Sequence, residues 1–241
     1  MDCGAHWAPQ TEGGARFYKS TARQLQGVRA THQPSPWIGD YGHFLVMPQV
    51  GPRLFGGGRQ SSVFRRADTT IRPHLFQTYL GRYQTQLSVT ATERCACFRF
   101  RFPADKSGRI LLESLAGASW FRVEGNRVTG HTRGNSGGVP EGFACYIYAE
   151  IDRSVADSCL FVGEELYGGT GEAEGLGVSI DSASGGEVTL RIATSFISVD
   201  QARRNFVSEV DGRSFEALLE AFAVHACGDD LFFCSATKNL E

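Results

Sequence analysis

Lysine and methionine are scarce in this chain. Lys19, Lys106 and Lys238 are the only lysines among 24 basic residues, and two methionines occur in 241 positions. The net charge is −2, so no global basic field invites nucleic acid or anionic lipid. Other absences narrow the function further. No Gly-Lys-Thr phosphate loop and no His-Glu-x-x-His helix is present. Cysteine occurs seven times but never as a Cys-x-x-Cys pair with matching histidines, which argues for buried thiols and against a zinc site. No apolar run reaches the ~20 residues of a membrane-spanning helix. The start, Met1-Asp2-Cys3-Gly4-Ala5-His6, lacks the basic and apolar regions of a signal peptide. The chain as given therefore reads as cytoplasmic, with a secreted or periplasmic location open if the natural N-terminus lies further upstream. No internal repeat or low-complexity tract stands out.

What is abundant is glycine, at 29 residues, together with short alternating segments. Tyr83, Thr85, Leu87, Val89 and Ala91 fall on one face of an extended segment. Phe98, Phe100 and Phe102 alternate with Arg99 and Arg101. Residues 109–113, 143–150 and 187–196 also read as strands, and Phe121–Gly130 reads as a hairpin turning at Gly125-Asn126. The apolar run 43–50 reads as a buried strand stopped by Pro48. Residues 1–30 show no clear period, while residues 51–62 and the acidic, glycine-rich Gly163–Gly177 read as loops. Short strands joined by glycine-rich turns predict an antiparallel sandwich. The pattern changes at Ser198, where Ser198-Val199-Asp200-Gln201 reads as a capping box. Ala202, Phe206 and Val210 then mark a helix broken near Gly212, and Ser214 caps a second helix carrying Phe215, Leu218, Leu219 and Phe222.

The candidate chemistry concentrates in Thr31-His32-Gln33-Pro34-Ser35-Pro36-Trp37-Ile38-Gly39-Asp40-Tyr41-Gly42. Two prolines fix φ near −65° and two glycines permit backbone that other residues avoid. Such a loop can present an aromatic face beside hydrogen-bonding groups, as carbohydrate sites do. It equally suits a turn-rich connection with Trp37 in the core, and the residues alone leave both readings open. Histidines 32 and 43 bracket the loop; each is able to donate to a sugar hydroxyl or to serve the structure. Gly134-Asn135-Ser136-Gly137-Gly138 matches Gly-x-Ser-x-Gly formally, but a strand rather than a helix is predicted after it, so it reads as a loop. The acids Asp40, Glu93, Glu113, Glu124, Glu141, Glu150 and Asp152 are read as solvated, and sequence alone does not pair any two of them for glycoside hydrolysis.

Four stretches together resemble the N-terminal domain of glycoside hydrolase family 92, the calcium-dependent exo-α-mannosidases. They are Gly27–Gly42 with Leu45-Val46-Met47-Pro48, then Tyr83–Phe102, then Glu141-Gly142-Phe143 with the following strand, and Ser195–Phe206, which is the most specific. The resemblance covers about residues 25–222. It implies an all-β fold, a β-supersandwich of the galactose-mutarotase-like type (1–197), followed by a short helical linker (198–224); residues 225–241 are an atypical tail outside the resemblance. In complete enzymes of the family an (α/α)6 barrel follows and supplies the catalytic acid, the base and most calcium ligands for an inverting hydrolysis. By matching position, His32 and Trp37, with Asp40 behind them, are implied to wall one side of a mannoside pocket.

This chain stops where the barrel should begin, so it is expected to lack the acid and base, and no calcium is expected in it alone. The implied partners are mannose-containing glycans and the barrel, with no role for nucleic acid or membrane. The alternatives are a free-standing carbohydrate-binding or scaffold protein and, further off, an aldose-epimerase-like enzyme on the same sandwich. The family's usual opening strand is not visible before residue 25, and Val224–Cys234 does not resemble the family's linker.

Overall fold

Alternation of side chains between an inner and an outer face organises the molecule. The computed structural model describes residues 6–12, 21–31, 44–55, 58–114, 118–134, 139–168, 171–174, 176–182 and 185–228. Its strands are β1 (His6–Thr11), β2 (Gln24–Thr31), β3 (Phe44–Gln49), β4 (Ser62–Val63), β5 (Thr70–Arg72), β6 (Leu75–Leu80), β7 (Thr85–Ala91), β8 (Cys95–Phe102) and β9 (Arg109–Ser114). There follow β10 (Ala118–Glu124), β11 (Arg127–Thr132), β12 (Cys145–Ile151), β13 (Val155–Val162), β14 (Glu165–Tyr167), β15 (Gly171–Glu174), β16 (Leu176–Ser182) and β17 (Gly186–Ser195). Two helices close the described chain, α1 (Val199–Glu209) and α2 (Phe215–Gly228).

The strands form two antiparallel sheets. One runs β1-β2-β3-β9-β16-β13-β14, with β4 beside β2; the other runs β15-β10-β11-β12-β17-β8-β7-β6-β5. The predicted all-β sandwich followed by helices is what the chain adopts. Phe98, Phe100 and Phe102 of β8 enter the core between the sheets, together with Leu87, Ile147, Val188, Leu190 and Ile192. Trp7 of β1 meets Phe44 of β3 and Phe98 of β8 edge-on, at ring-centre distances of 5.5 and 5.3 Å.

Both outer faces are also covered. On the nine-stranded sheet, Cys95, Cys97, Tyr148 and Ala193 form a second core with Ala202, Phe206 and Val210 of the α1 region and Phe215 and Leu218 of α2. Arg99, also on that face, lies over the Phe215 ring at 4.2 Å and pairs with Glu216. On the eight-stranded sheet, the segment after β3 folds back as a strap. Its Phe55 stacks on Phe161 of β13 at 4.1 Å, and the Gln49 side-chain amide donates to the Leu54 carbonyl at 2.6 Å.

Several readings of the sequence are corrected. Residues 6–11 and 24–31 are paired strands, although no period marks them. The stretch Gly163–Gly177 is not a loop: β14 and β15 lie within it and β16 begins there, running between β13 and β9. Gly177 itself is a strand residue, because an added Cβ would stand 2.3 Å from Phe161 Cζ. Pro48 does not stop its strand; it pairs with Ile110 of β9, while pairing on the β2 side ends at Val46 and asks no amide of it. The hairpin at Gly125-Asn126 forms as expected, with Gly125 at φ +61°. Of the capping box, half forms. Ser198 Oγ accepts from the Gln201 amide at 3.0 Å, but the Gln201 side chain turns to Asn205 Oδ1 at 2.9 Å instead of reaching back.

Candidate functional site

The strand ends that flank the candidate sugar-binding residues lie at one end of the sandwich. Strand β2 ends at Thr31 and its neighbour β3 begins at Phe44, with Ala30 opposite Phe44. His32, Trp37 and Asp40, with the rest of 32–43, lie outside the described residues. The strand ends that hold this segment are well fixed. Phe44 is fully buried and faces Ser114, the last residue of β9. Ser114 Oγ and Thr132 Oγ1 of β11 hydrogen bond across the two sheets at 3.0 Å. Thr132 pairs in turn with Ser119 of β10 and Cys145 of β12, and Tyr146 pairs with Ser195 of β17. The connections 32–43, 115–117, 133–144 and 196–198 therefore leave from the same end.

Around that end several of the described side chains are aromatic. Phe143 stacks on Phe196 at 5.3 Å. Trp120, His131 and Tyr146 form a half-buried row on the outer face, with ring centres 6.2 and 5.9 Å apart. The Gly134 amide donates to Thr132 Oγ1 at 3.2 Å, and residues 135–138 of the formal Gly-x-Ser-x-Gly match lie outside the described residues.

Several acids are held by arginines, hydroxyls and amides. Asp181 holds Arg109 through two bonds, at 2.7 and 3.2 Å, and shares Arg53 with Asp157; the Arg53 hydrogen bond pulls the Asp157 pKa down. Glu150 accepts from Tyr148 and Arg127, Glu187 from Arg101, and Asp152 from the Thr189 amide. Glu93 pairs weakly with Arg94 at 3.7 Å, and Glu124 with Arg122. Glu209, which sequence reasoning passed over, accepts from Thr92 Oγ1, the Arg94 amide and Arg94 Nε at 2.5, 3.0 and 2.6 Å.

One acid departs from the solvated reading. Glu113 is 8% exposed, and burial pushes its pKa up to about 7. The signal was an acid closing the apolar run Ile110-Leu111-Leu112 in a strand covered on both faces. Cys95, Cys97 and Cys145 are buried thiols and Cys159 is half-buried; burial raises the pKa of Cys97 to about 12 and that of Cys95 further still. Among the described residues no group of three His, Cys, Asp or Glu side chains is placed to hold a metal ion, and no helix is long and apolar enough to cross a membrane.

Comparison with known proteins follows the architecture. A sequence model described as the glycosyl hydrolase family 92 N-terminal domain matches residues 4–195. Among solved structures, a family GH92 inverting mannosidase from Bacteroides thetaiotaomicron superposes with a TM-score of 0.84 at 30% identity, over 91% of this chain and 32% of that one. A second GH92 α-mannosidase from the same organism, solved in complex with mannoimidazole, gives a TM-score of 0.78 at 24% identity, over 92% of this chain and 33% of that one. No curated protein sequence matches at a significant level. The chain thus spans about a third of the length of the solved mannosidases it resembles. With its family model matched from the first strands to the last, this chain belongs to glycosyl hydrolase family 92, of which it carries the N-terminal domain.

Proposed function

We propose that this domain forms one wall of a mannoside pocket in an α-mannosidase, with hydrolysis carried out by residues of a following helical barrel. The observation that carries the reading is the family match over residues 4–195, joined to the likeness over 91% of the chain to an inverting mannosidase. In this reading His32 donates to a sugar hydroxyl, Trp37 offers its ring to the apolar face of the sugar, and Asp40 orients the histidine loop. The pairing of Asp181, Glu150, Glu187, Asp152 and Glu209 with arginines, hydroxyls and amides supports assigning the catalytic acid and base to the barrel. An inverting hydrolase needs two carboxylates about 6.5–9.5 Å apart with a water between them. In the same reading calcium is bound mainly by the barrel.

Two measurements test this. The chain alone is expected to leave an aryl α-mannoside unhydrolysed; hydrolysis that disappears on replacing a single acid of this chain would overturn the assignment of chemistry. Mannoimidazole is expected to quench tryptophan fluorescence, and Trp37→Ala to weaken that binding with the melting temperature kept, since stacking of this kind contributes about 1 kcal/mol. A loss of about 3–5 kcal/mol of stability with binding unchanged would place the ring in the core and remove the platform role.

A further inference from the structure

The turn at residues 58–61, where the strap crosses the eight-stranded sheet, carries an unusual pair. The Ser61 amide closes the turn on the Gly58 carbonyl at 3.0 Å. Inside it, the Gln60 side-chain Nε2 donates to Glu113 Oε2 at 3.2 Å. Gln60 is 3% exposed, and its Oε1 has no partner among the described residues. A carboxylate at Glu113 has no hydrogen to give that orphaned oxygen. A carboxylic acid supplies the missing donor: acid and amide then exchange two hydrogen bonds, O–H to amide oxygen and N–H to acid oxygen. The surroundings favour the neutral form. Glu113 lies opposite Leu45 on one side and opposite Gly177 on the other, and the Phe161 ring occupies the space over Gly177, with Phe55 stacked on it.

We infer that Gln60 and Glu113 form a proton-operated clasp, which holds the 58–61 turn against β9 when Glu113 carries its proton and loosens it when the proton leaves. The charged and titratable groups around the clasp are few. Arg29 of β2 lies on the same row, two strands away. Arg59 on the turn pairs with Glu164 of the β13–β14 turn. Tyr83, before β7, donates its hydroxyl to the Gln60 carbonyl at 2.7 Å, and Arg82 donates to the Arg59 carbonyl at 2.8 Å. None of these is hydrogen bonded to Glu113 among the described residues, and burial is what raises its pKa to about 7.

The direction of the pH response follows. The closed turn binds the proton more tightly than an open turn, in which Glu113 regains the ordinary value of 4.5. Closure is therefore fully favoured at low pH. The advantage is lost as pH rises from 4.5 to about 7 and changes no further above that, so the opening equilibrium grows by up to about tenfold per pH unit inside the window.

Hydrogen exchange at the Ser61 amide of the full chain, corrected for the intrinsic exchange rate at each pH, reads this directly. The expected result is protection that falls between pH 5 and 7 and is level from 7 to 8. In Glu113→Gln the paired amides keep both hydrogen bonds at every pH, so protection is expected to stay high and flat. Protection independent of pH in the wild type, or a pH response that survives in Glu113→Gln, would overturn the clasp. A carbon-13 titration of the Glu113 carboxyl in the unaltered chain decides the matter if the variant fails to fold: a midpoint near 7 upholds the clasp, and one in the ordinary carboxylate range removes it.

Discussion

Glu209 shows how much one side chain can fix. Its carboxylate is 11% exposed and meets three donors from the turn between β7 and β8, so it ties the end of α1 to the sheet beneath. Charge-assisted bonds of this kind contribute about 1.5–3 kcal/mol each, and removing the acceptor takes one bond each from the Thr92 hydroxyl, the Arg94 amide and the Arg94 guanidinium. Glu209→Ala is expected to cost about 2–3 kcal/mol in urea denaturation, with exchange of the α1 amides accelerated more than that of the sheet. A variant equal to the wild type would show the contact to be ornamental. Gly177 is the opposite case, a residue defined by having no side chain. A methyl there would meet Phe161 Cζ at 2.3 Å and the Leu112 carbonyl oxygen at 2.8 Å, and the second of these is backbone that yields only by bending the sheet. Gly177→Ala is expected to lose about 1–3 kcal/mol, read as a lower denaturation midpoint. Neither residue was legible in the sequence. Glu209 gains its partners from a hairpin more than a hundred positions earlier, and Gly177 sits in a stretch that reads as loop, since glycine weakens a strand unless a neighbour occupies its space.

Legibility among the elements follows how each is buried. β7, β8 and β17 were readable because one register of large apolar residues points into the core while Arg99, Arg101 and Arg191 point away. β2, β9 and β16 were harder. Sheet faces covered on both sides lose the alternation of apolar and polar residues, and β9 reads as a plain apolar run. β1 carries Pro9 and β15 carries two acids, so their strand state comes from pairing with neighbours, which no local propensity encodes. The helices were legible because they begin at a serine and repeat every four residues. Ser198→Ala removes the acceptor for the Gln201 amide and is expected to cost about 1 kcal/mol, seen as a fall in melting temperature with β-sheet circular dichroism unchanged. A shift of the sheet signal would mean that α1 and the sandwich melt as one unit. The candidate site was legible only through resemblance, since a loop of proline, glycine and aromatic residues has no period to read.

At the scale of the molecule, the two sheets, the strap and the helical pair make a layered body. The strand that ends the sandwich in sequence, β17, lies near the middle of the nine-stranded sheet, between β12 and β8. Its Leu190 pairs with Phe98 and its Ala193 with Tyr148. The half-sheet β5-β8 and the half-sheet β10-β12 are therefore joined only when residues 186–195 arrive. A nascent chain emerging in order from the ribosome holds two unpaired edges, β8 and β12, until that moment. Exposed edges of this kind recruit other strands, and pairing over long sequence separations is slow. A fragment ending at Gly185 is expected to sediment as aggregate, whereas one extended through Val210 stays soluble. Equal solubility of the two fragments would show that β17 is dispensable for closure. Synthesis thus carries a built-in interval of vulnerability, during which chaperone occupancy should be greatest on ribosome-bound chains that have passed β12 and not yet released β17.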